Sequence, residues 1–165
     1  AQLERLRQAL RGAAGTGHGD RNSGTDAELL SSVLAELPGP WTSRDETWCM
    51  PLPGTASGEL VLLPADSGVQ CRALLVAAEG APESDVELAT AGFLLAAHAS
   101  LRLCRGELDE SGVHLVSLAA ADDLSETLPD SIQAIVTAAS RLASPLRVLR
   151  QPAVARRYIR HMKLS

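Results

Sequence analysis

One segment, residues 85–103, limits the folds open to this chain more than any other. A capping-box pattern at Ser84 and Glu87 predicts where its helix begins. At 100° per residue, apolar or small side chains fall on both sides of this helix, and only a narrow stripe containing Thr90 and His98 is polar. A helix that is apolar nearly all round has to be covered on two faces, and a domain of 165 residues has one sheet to offer.

We therefore expect a second copy of the same helix to cover the face that the sheet leaves open. Small residues on that face would let two helix backbones approach closely. The sequence predicts a homodimer with an interface made by Leu88, Gly92, Leu95, Ala96, Ala99 and Leu103.

Periodicity elsewhere predicts an α+β fold in which an antiparallel sheet packs with helices in the order α-β-β-β-α-β-β-α. Short helical extensions are expected at both ends of the chain. A capping box at Thr25 predicts the first helix of the sheet domain. The last of its helices is expected to begin at Asp130 and to be limited by Pro145.

Turn signals separate the predicted strands. Residues 64–68 and 109–112 each predict a β-hairpin. Pro51 and Pro53 remove backbone donors, so the first strand, residues 46–53, is expected at an edge of the sheet.

The chain divides into three parts by composition. Residues 1–24 carry a predicted short helix and a Gly-rich linker, residues 25–150 form the α+β domain, and residues 151–165 form a basic tail. The glycines of residues 15–19 are expected to belong to the linker rather than to a phosphate loop. Such a loop lies between a strand and a helix and supplies a lysine, and the first lysine here is Lys163.

Charge is distributed unevenly along the chain. Residues 25–144 have 18 acids and 5 bases, a net charge of −13, whereas residues 145–165 have six bases and no acid. The acidic body would repel phosphate backbones, which argues against nucleic acid as a partner. The basic tail is either a solvated terminal segment or a docking site for an acidic partner or a membrane surface at an export apparatus. Its docking residues would be Arg156, Arg157, Arg160 and Lys163.

The location predicted from the sequence is the cytoplasm. Residues 88–101, the longest uncharged stretch in an apolar region, are too few to span a bilayer, and charges near the start leave no signal-peptide core. The three widely spaced cysteines argue for a reducing compartment.

Candidate catalytic groups do not converge in the sequence. Cys71 with His98 or His114 is the best nucleophile candidate, but Cys71 shares a predicted strand face with core residues. The cysteines and histidines lack metal-ligand spacing, and the acids of residues 109–110 and 122–123 suit solvated turns. We expect no enzyme, cofactor or metal, although a small hydrolase or transferase remains a third alternative.

Three segments resemble the class I chaperones of bacterial type III secretion: residues 59–68, residues 88–103, and residues 107–118 running into 124–142. The hairpin from Leu108 to Leu115 (Leu-Asp-Glu-Ser-Gly-Val-His-Leu) is similar to one typical of that family. The N-terminal extension and the basic tail depart from the family pattern.

The resemblance implies a small homodimer without ATPase activity that binds the N-terminal region of a secreted effector and keeps it export-competent. An unfolded effector segment would add strands to open sheet edges and place apolar side chains in surface grooves. Candidate contacts, several of which could instead pack the sheet against its helices, are Trp48, Met50, Leu52, Leu60, Leu62, Leu74 and Val76. The alternative to this function is a non-catalytic heterodimerisation subunit of a larger assembly.

Overall fold

The computed structural model describes residues 23–37, 39–45, 47–80 and 83–164. The predicted N-terminal helix and nearly all of the Gly-rich linker, residues 1–22, lie outside this range. The described elements, in chain order, are α1 (Ser23–Glu36), β1 (Thr42–Arg44), β2 (Thr47–Pro51), β3 (Glu59–Ala65), β4 (Gly68–Ala77), α2 (Ser84–His98), β5 (Arg105–Asp109), β6 (Gly112–Ala120), α3 (Leu124–Leu149) and α4 (Pro152–Leu164).

The strands form one antiparallel sheet in the order β1-β2-β3-β4-β6-β5. The predicted α+β class and both predicted hairpins are confirmed. Alternate residues of β4 and β6 enter the core with the buried faces of α1 and α3, as side chains of period two require. The core side chains include Leu30, Val33, Cys71, Ala73, Leu75, Leu115, Leu128, Ile135 and Leu146.

The first predicted strand is not the edge strand. β2 pairs on one side with β3 and on the other with β1, a three-residue strand that the sequence analysis did not predict. β1 reaches only from Thr47 to Cys49, so Met50 and Pro51 extend past it. Pro51 is compatible with this position because, within the described ranges, no ladder partner on that side requires its missing N–H.

The last predicted helix is wrong at both limits. α3 begins at Leu124 rather than Asp130 and passes through Pro129 and Pro145 before ending at Leu149. Its buried stripe is continuous from Leu124 to Leu149, so packing on the sheet overrides the loss of two helical hydrogen bonds.

The second predicted helix is shorter than expected. α2 ends at His98, and residues 99–104 form a loop in which Leu103 has a positive φ of 61°. Leu103 therefore lies outside the helix to which its spacing had assigned it.

Candidate protein-binding surfaces

One side of α2 is covered within the same chain, by α4. Val86 and Ala89 form a buried cluster with Leu149, Ala155 and Ile159. The ring of Phe93 meets that of Tyr158 edge-on, with 6.4 Å between centroids. The helix that the sequence analysis treated as a terminal extension thus provides part of the cover expected from a second copy.

A second side of α2 remains open to solvent. The side chains of Leu88 and Leu95 are 52% and 71% exposed, and Ala96 and Ala99, the residue that follows the end of the helix, are exposed beside them. We call these four residues the exposed α2 face. Gly92 borders it and is half-buried, because the methyl end of Met162 lies over its Cα.

Leu103 continues the apolar surface beyond the end of α2. Its side chain is 66% exposed, and the Ser117 hydroxyl donates to its carbonyl oxygen. It borders a groove of about 460 Å³ between its own loop and α3, and a second cavity of about 370 Å³ that it shares with Leu118. A non-glycine residue in the left-handed region costs about 1–3 kcal/mol, so the surrounding structure holds this leucine in place against strain.

The seven predicted effector contacts fall into two groups. Trp48, Met50 and Leu74 are half-exposed. The other four are buried in the core, which leaves them no surface for a partner in this conformation, and they are Leu52, Leu60, Leu62 and Val76. These four side chains pack the sheet against its helices, which is the alternative role given for them in the sequence analysis.

The predicted docking residues of the basic tail lie on α4. Arg156, Arg157, Arg160 and Lys163 are all exposed, on the side of α4 that faces away from α2. The helical extension predicted at the C-terminal end is therefore present, and its apolar side lies in the cluster around Ala155 and Ile159.

A polar cluster at the β5–β6 hairpin escaped the sequence analysis, which assigned its acids to a solvated turn. The Ser111 hydroxyl lies 2.6 Å from both Asp109 Oδ1 and His114 Nε2. Arg72 joins from β4, with Nη2 3.0 Å from Asp109 Oδ2 and Nε 3.2 Å from His114 Nδ1. Only the pairing of β4 with β6 brings Arg72 to this turn, so spacing along the sequence carried no signal for it.

The cluster contains serine, histidine and aspartate but lacks the proton arrangement of a hydrolase. Because the guanidinium N–H of Arg72 donates to Nδ1 of His114, the imidazole hydrogen has to reside on Nε2. Nε2–H is then a donor toward Ser111 and Asp109 and cannot take the serine proton as a general base. The donated hydrogen bonds from the Ser111 hydroxyl and backbone N–H, with a smaller contribution from His114, lower the pKa of Asp109 to about 2.

Cys71 lies in the core, paired with Leu62 across β3 and β4, and burial raises the pKa of its thiol to about 12. His114 occupies the alternate register in β6, opposite Leu74, and therefore projects from the other face of the sheet. His98 accepts a hydrogen bond from the backbone N–H of Gly106. The structure therefore does not bring Cys71 and His114 together.

The described ranges contain no group of three or more His, Cys, Asp or Glu side chains that could hold a metal ion. Among the helices of those same ranges, none combines the length and the apolar character needed to cross a bilayer.

No protein-family model matches the chain, and no curated protein matches it. Among solved structures, YbjN from E. coli is similar, with a TM-score of 0.48 and 18% identity over 67% of this chain and 86% of YbjN. A chain of the heterodimeric ExoU–SpcU complex from the type III secretion system of Pseudomonas aeruginosa is similar with a TM-score of 0.47 and 24% identity, over 71% of this chain and 96% of that one. Both TM-scores are below 0.5, so we base the function on the residues of this chain.

Proposed function

We propose that this chain is a non-enzymatic, homodimeric cytoplasmic chaperone that binds the N-terminal region of one or more type III secretion effectors and keeps it export-competent. The observation that carries the proposal is the exposed α2 face, with two leucines more than half exposed. Adjacent exposed apolar side chains on one helix side are typical of surfaces that contact another protein.

The arrangement of α2 supports pairing with a second copy about a two-fold axis. Leu88 and Leu95 are two helical turns apart, and Ala96 and Ala99 beside them leave room for a close approach of two backbones. If two copies of α2 pair antiparallel, Asp85 and Glu87 at the start of one helix lie near Arg102, which follows the end of the helix in the second copy. The surface is thus apolar at its centre and has opposite charges at its two ends, so it is complementary to a second copy of itself, as an isologous interface requires.

The sheet offers places where an extended effector segment would bind. β2 projects past the short β1, so Met50 lies on a stretch of strand that has no paired strand on that side among the described residues, next to half-exposed Trp48. Strand addition at such an edge supplies backbone hydrogen bonds, and the flanking apolar side chains supply contact area. Residues 108–115 include the turn of the β5–β6 hairpin and resemble a hairpin of the chaperone family. This resemblance supports a secreted effector as the partner.

The homodimer is tested by light scattering on the purified chain, with Leu95→Glu as the test variant and Val148→Glu as its control. Both are exposed apolar residues on helices, but Val148 lies on α3, away from the exposed α2 face. We expect twice 17.3 kDa for the wild-type chain and Val148→Glu, and a monomer for Leu95→Glu. A monomeric or aggregating wild-type chain would contradict the homodimer and favour the heterodimerisation subunit.

Effector binding is tested by purifying the tagged chain from its native host and mapping the bound partner by limited proteolysis. We expect a protected fragment at the N-terminus of a secreted protein. The double variant Trp48→Ser, Met50→Ser should lose that partner, while Leu118→Ser, on β6, should retain it. A protected fragment from a folded enzyme core, or loss of the partner in both variants alike, would overturn the assignment.

A further inference from the structure

The exposed side of α4 carries a compact set of cations. Arg156, Arg160 and Lys163 follow at spacings of four and three residues, which places them on one helix face about 10 Å long. Arg157 flanks this face, and α4 contains no acid. We call these four residues the basic α4 face.

Three of these four charges have no ion-pair partner among the described residues. Arg156 lies 3.9 Å from Glu83, and both side chains are more than half exposed, so this ion pair contributes little. Within residues 23–37, 39–45, 47–80 and 83–164, no acid lies within salt-bridge distance of Arg157, Arg160 or Lys163. The chain has 20 acids against 15 bases, so a shortage of acids does not explain why these three cations have no ion-pair partner among the described residues.

The basic α4 face is held in place by the other side of the same helix. Ala155 and Ile159 are buried against α2, and Tyr158 meets Phe93. A partner would therefore meet cations carried on a helix backbone that is already ordered, so only their side chains would have to be fixed on binding. Because the apolar side of α4 is packed against α2, it is not available for contact with a partner.

These two properties distinguish between the possible anionic partners. An amphipathic helix binds a bilayer by inserting its apolar side, and that side of α4 is occupied by α2. A bilayer or a nucleic acid also presents anionic groups over an area much wider than the basic α4 face, and residues 25–144, with a net charge of −13, oppose such a contact. A short acidic peptide would meet the basic α4 face alone.

We propose that the basic α4 face docks a short acidic segment of a partner protein. The spacing of the cations along the axis, about 6 Å from Arg156 to Arg160, matches carboxylates on alternate residues of an extended peptide or four residues apart on a helix. This docking does not depend on the proposed chaperone function, since it uses none of the residues of the exposed α2 face or of β2.

The test measures binding of a fluorescein-labelled octaglutamate peptide to the full chain by fluorescence anisotropy. The variant Arg157→Gln, Arg160→Gln is compared with Arg44→Gln, Arg141→Gln, which removes the same charge from exposed sites elsewhere. We expect binding that weakens with added salt, and a loss of about tenfold in affinity for the α4 variant only, because charge-assisted contacts are removed. Light scattering should show the same oligomeric state for all three chains.

Three results would overturn the proposal. Equal weakening in both variants would mean that net charge, not the basic α4 face, attracts the peptide. Absence of peptide binding at low salt would mean that the face is solvated only. Binding to vesicles of phosphatidylcholine and phosphatidylserine without binding to the peptide would assign the face to a lipid surface instead.

Discussion

The imidazole Nε2 of His98 lies 2.9 Å from the backbone nitrogen of Gly106 and accepts its hydrogen bond. The last residue of α2 thereby caps a donor of β5, an edge strand of the sheet. A Cβ at Gly106 would lie 2.7 Å from Leu94 Cδ2, so α2 also packs tightly against this strand. The contact holds α2 against the sheet and hinders strand addition at β5, which leaves the β1 side of the sheet, where β2 extends past β1, as the place for an extended partner.

Replacing His98 by alanine should free the edge of β5. We expect the free energy of unfolding to fall by about 1 kcal/mol, because the Gly106 N–H loses its acceptor. Amide hydrogen exchange measured by NMR should become faster at Gly106. His98→Gln, which keeps an acceptor near the position of Nε2, is the matched control and should retain most of the protection. Unchanged exchange at Gly106 in His98→Ala would show that the hydrogen bond does not protect this edge.

Gly112 should tolerate no side chain. Its φ is +134°, and a Cβ there would overlap the carbonyl oxygen of Val76 across the β4–β6 pair. We expect Gly112→Ala to lower the free energy of unfolding by at least about 1–3 kcal/mol in urea titrations, from backbone strain alone.

Gly92→Ala is the comparison for that variant. A Cβ at Gly92 meets the flexible end of Met162, at 2.6 Å from Cε, which can move. Alanine also favours the helix by up to about 1 kcal/mol over glycine. The free energy of unfolding should therefore stay unchanged or rise. Equal losses for the two variants would mean that α4 is packed as rigidly against α2 as β4 against β6.

Asp109 should make stability depend on acid pH. Folding lowers its pKa from 3.8 to about 2, chiefly through the two donors of Ser111. A carboxyl with a depressed pKa in the folded state stabilises that state above about pH 4, and this contribution disappears as the pH falls toward 2. Urea midpoints of the wild-type chain and Asp109→Asn should therefore converge between pH 4 and 2.

Glu110→Gln, in the same turn, is the control for this experiment. Glu110 is exposed and forms no hydrogen bond or ion pair with any residue in the described ranges. Its substitution should leave the acid dependence of the wild-type chain intact. A difference between wild type and Asp109→Asn that stays constant from pH 5 to pH 2 would contradict the assignment to this carboxyl.

The elements that the sequence predicted well are those encoded locally. The hairpin turns at residues 64–68 and 109–112 and the stripe of α1 depend on residues close together in the chain. β1 was missed because its three residues, Thr42 to Arg44, are exposed and carry no apolar alternation. The first turn and a half of α3 was missed because Asp130 was taken as the N-cap residue, whereas the buried stripe from Leu124 to Ile135 determines where the helix begins.

The candidate surfaces were predictable only in part, because burial depends on packing between distant elements. The period of α2 correctly indicated two apolar sides, but nothing local indicated that Ala155 and Ile159 of α4 would cover one of them. Alternation in β3 could not tell whether Leu60 and Leu62 faced a helix or a partner, and they face the core. The polar cluster around Asp109 required Arg72, 37 residues away.

Cys71 and Cys104 should differ in their reactivity toward a maleimide. Only the thiolate reacts with maleimides, and with a pKa of about 12 Cys71 is ionised in roughly one molecule in ten thousand at pH 8. Cys71 is also fully buried, whereas Cys104 is half-buried with a pKa raised by that burial. In native protein treated with N-ethylmaleimide, peptide mass spectrometry should find Cys104 modified slowly and Cys71 unmodified, and urea should make both react. Rapid labelling of Cys71 in the native protein would indicate an activated thiol and would support the hydrolase alternative. Labelling of Cys71 at the rate of unfolding would instead agree with a packing role in the core.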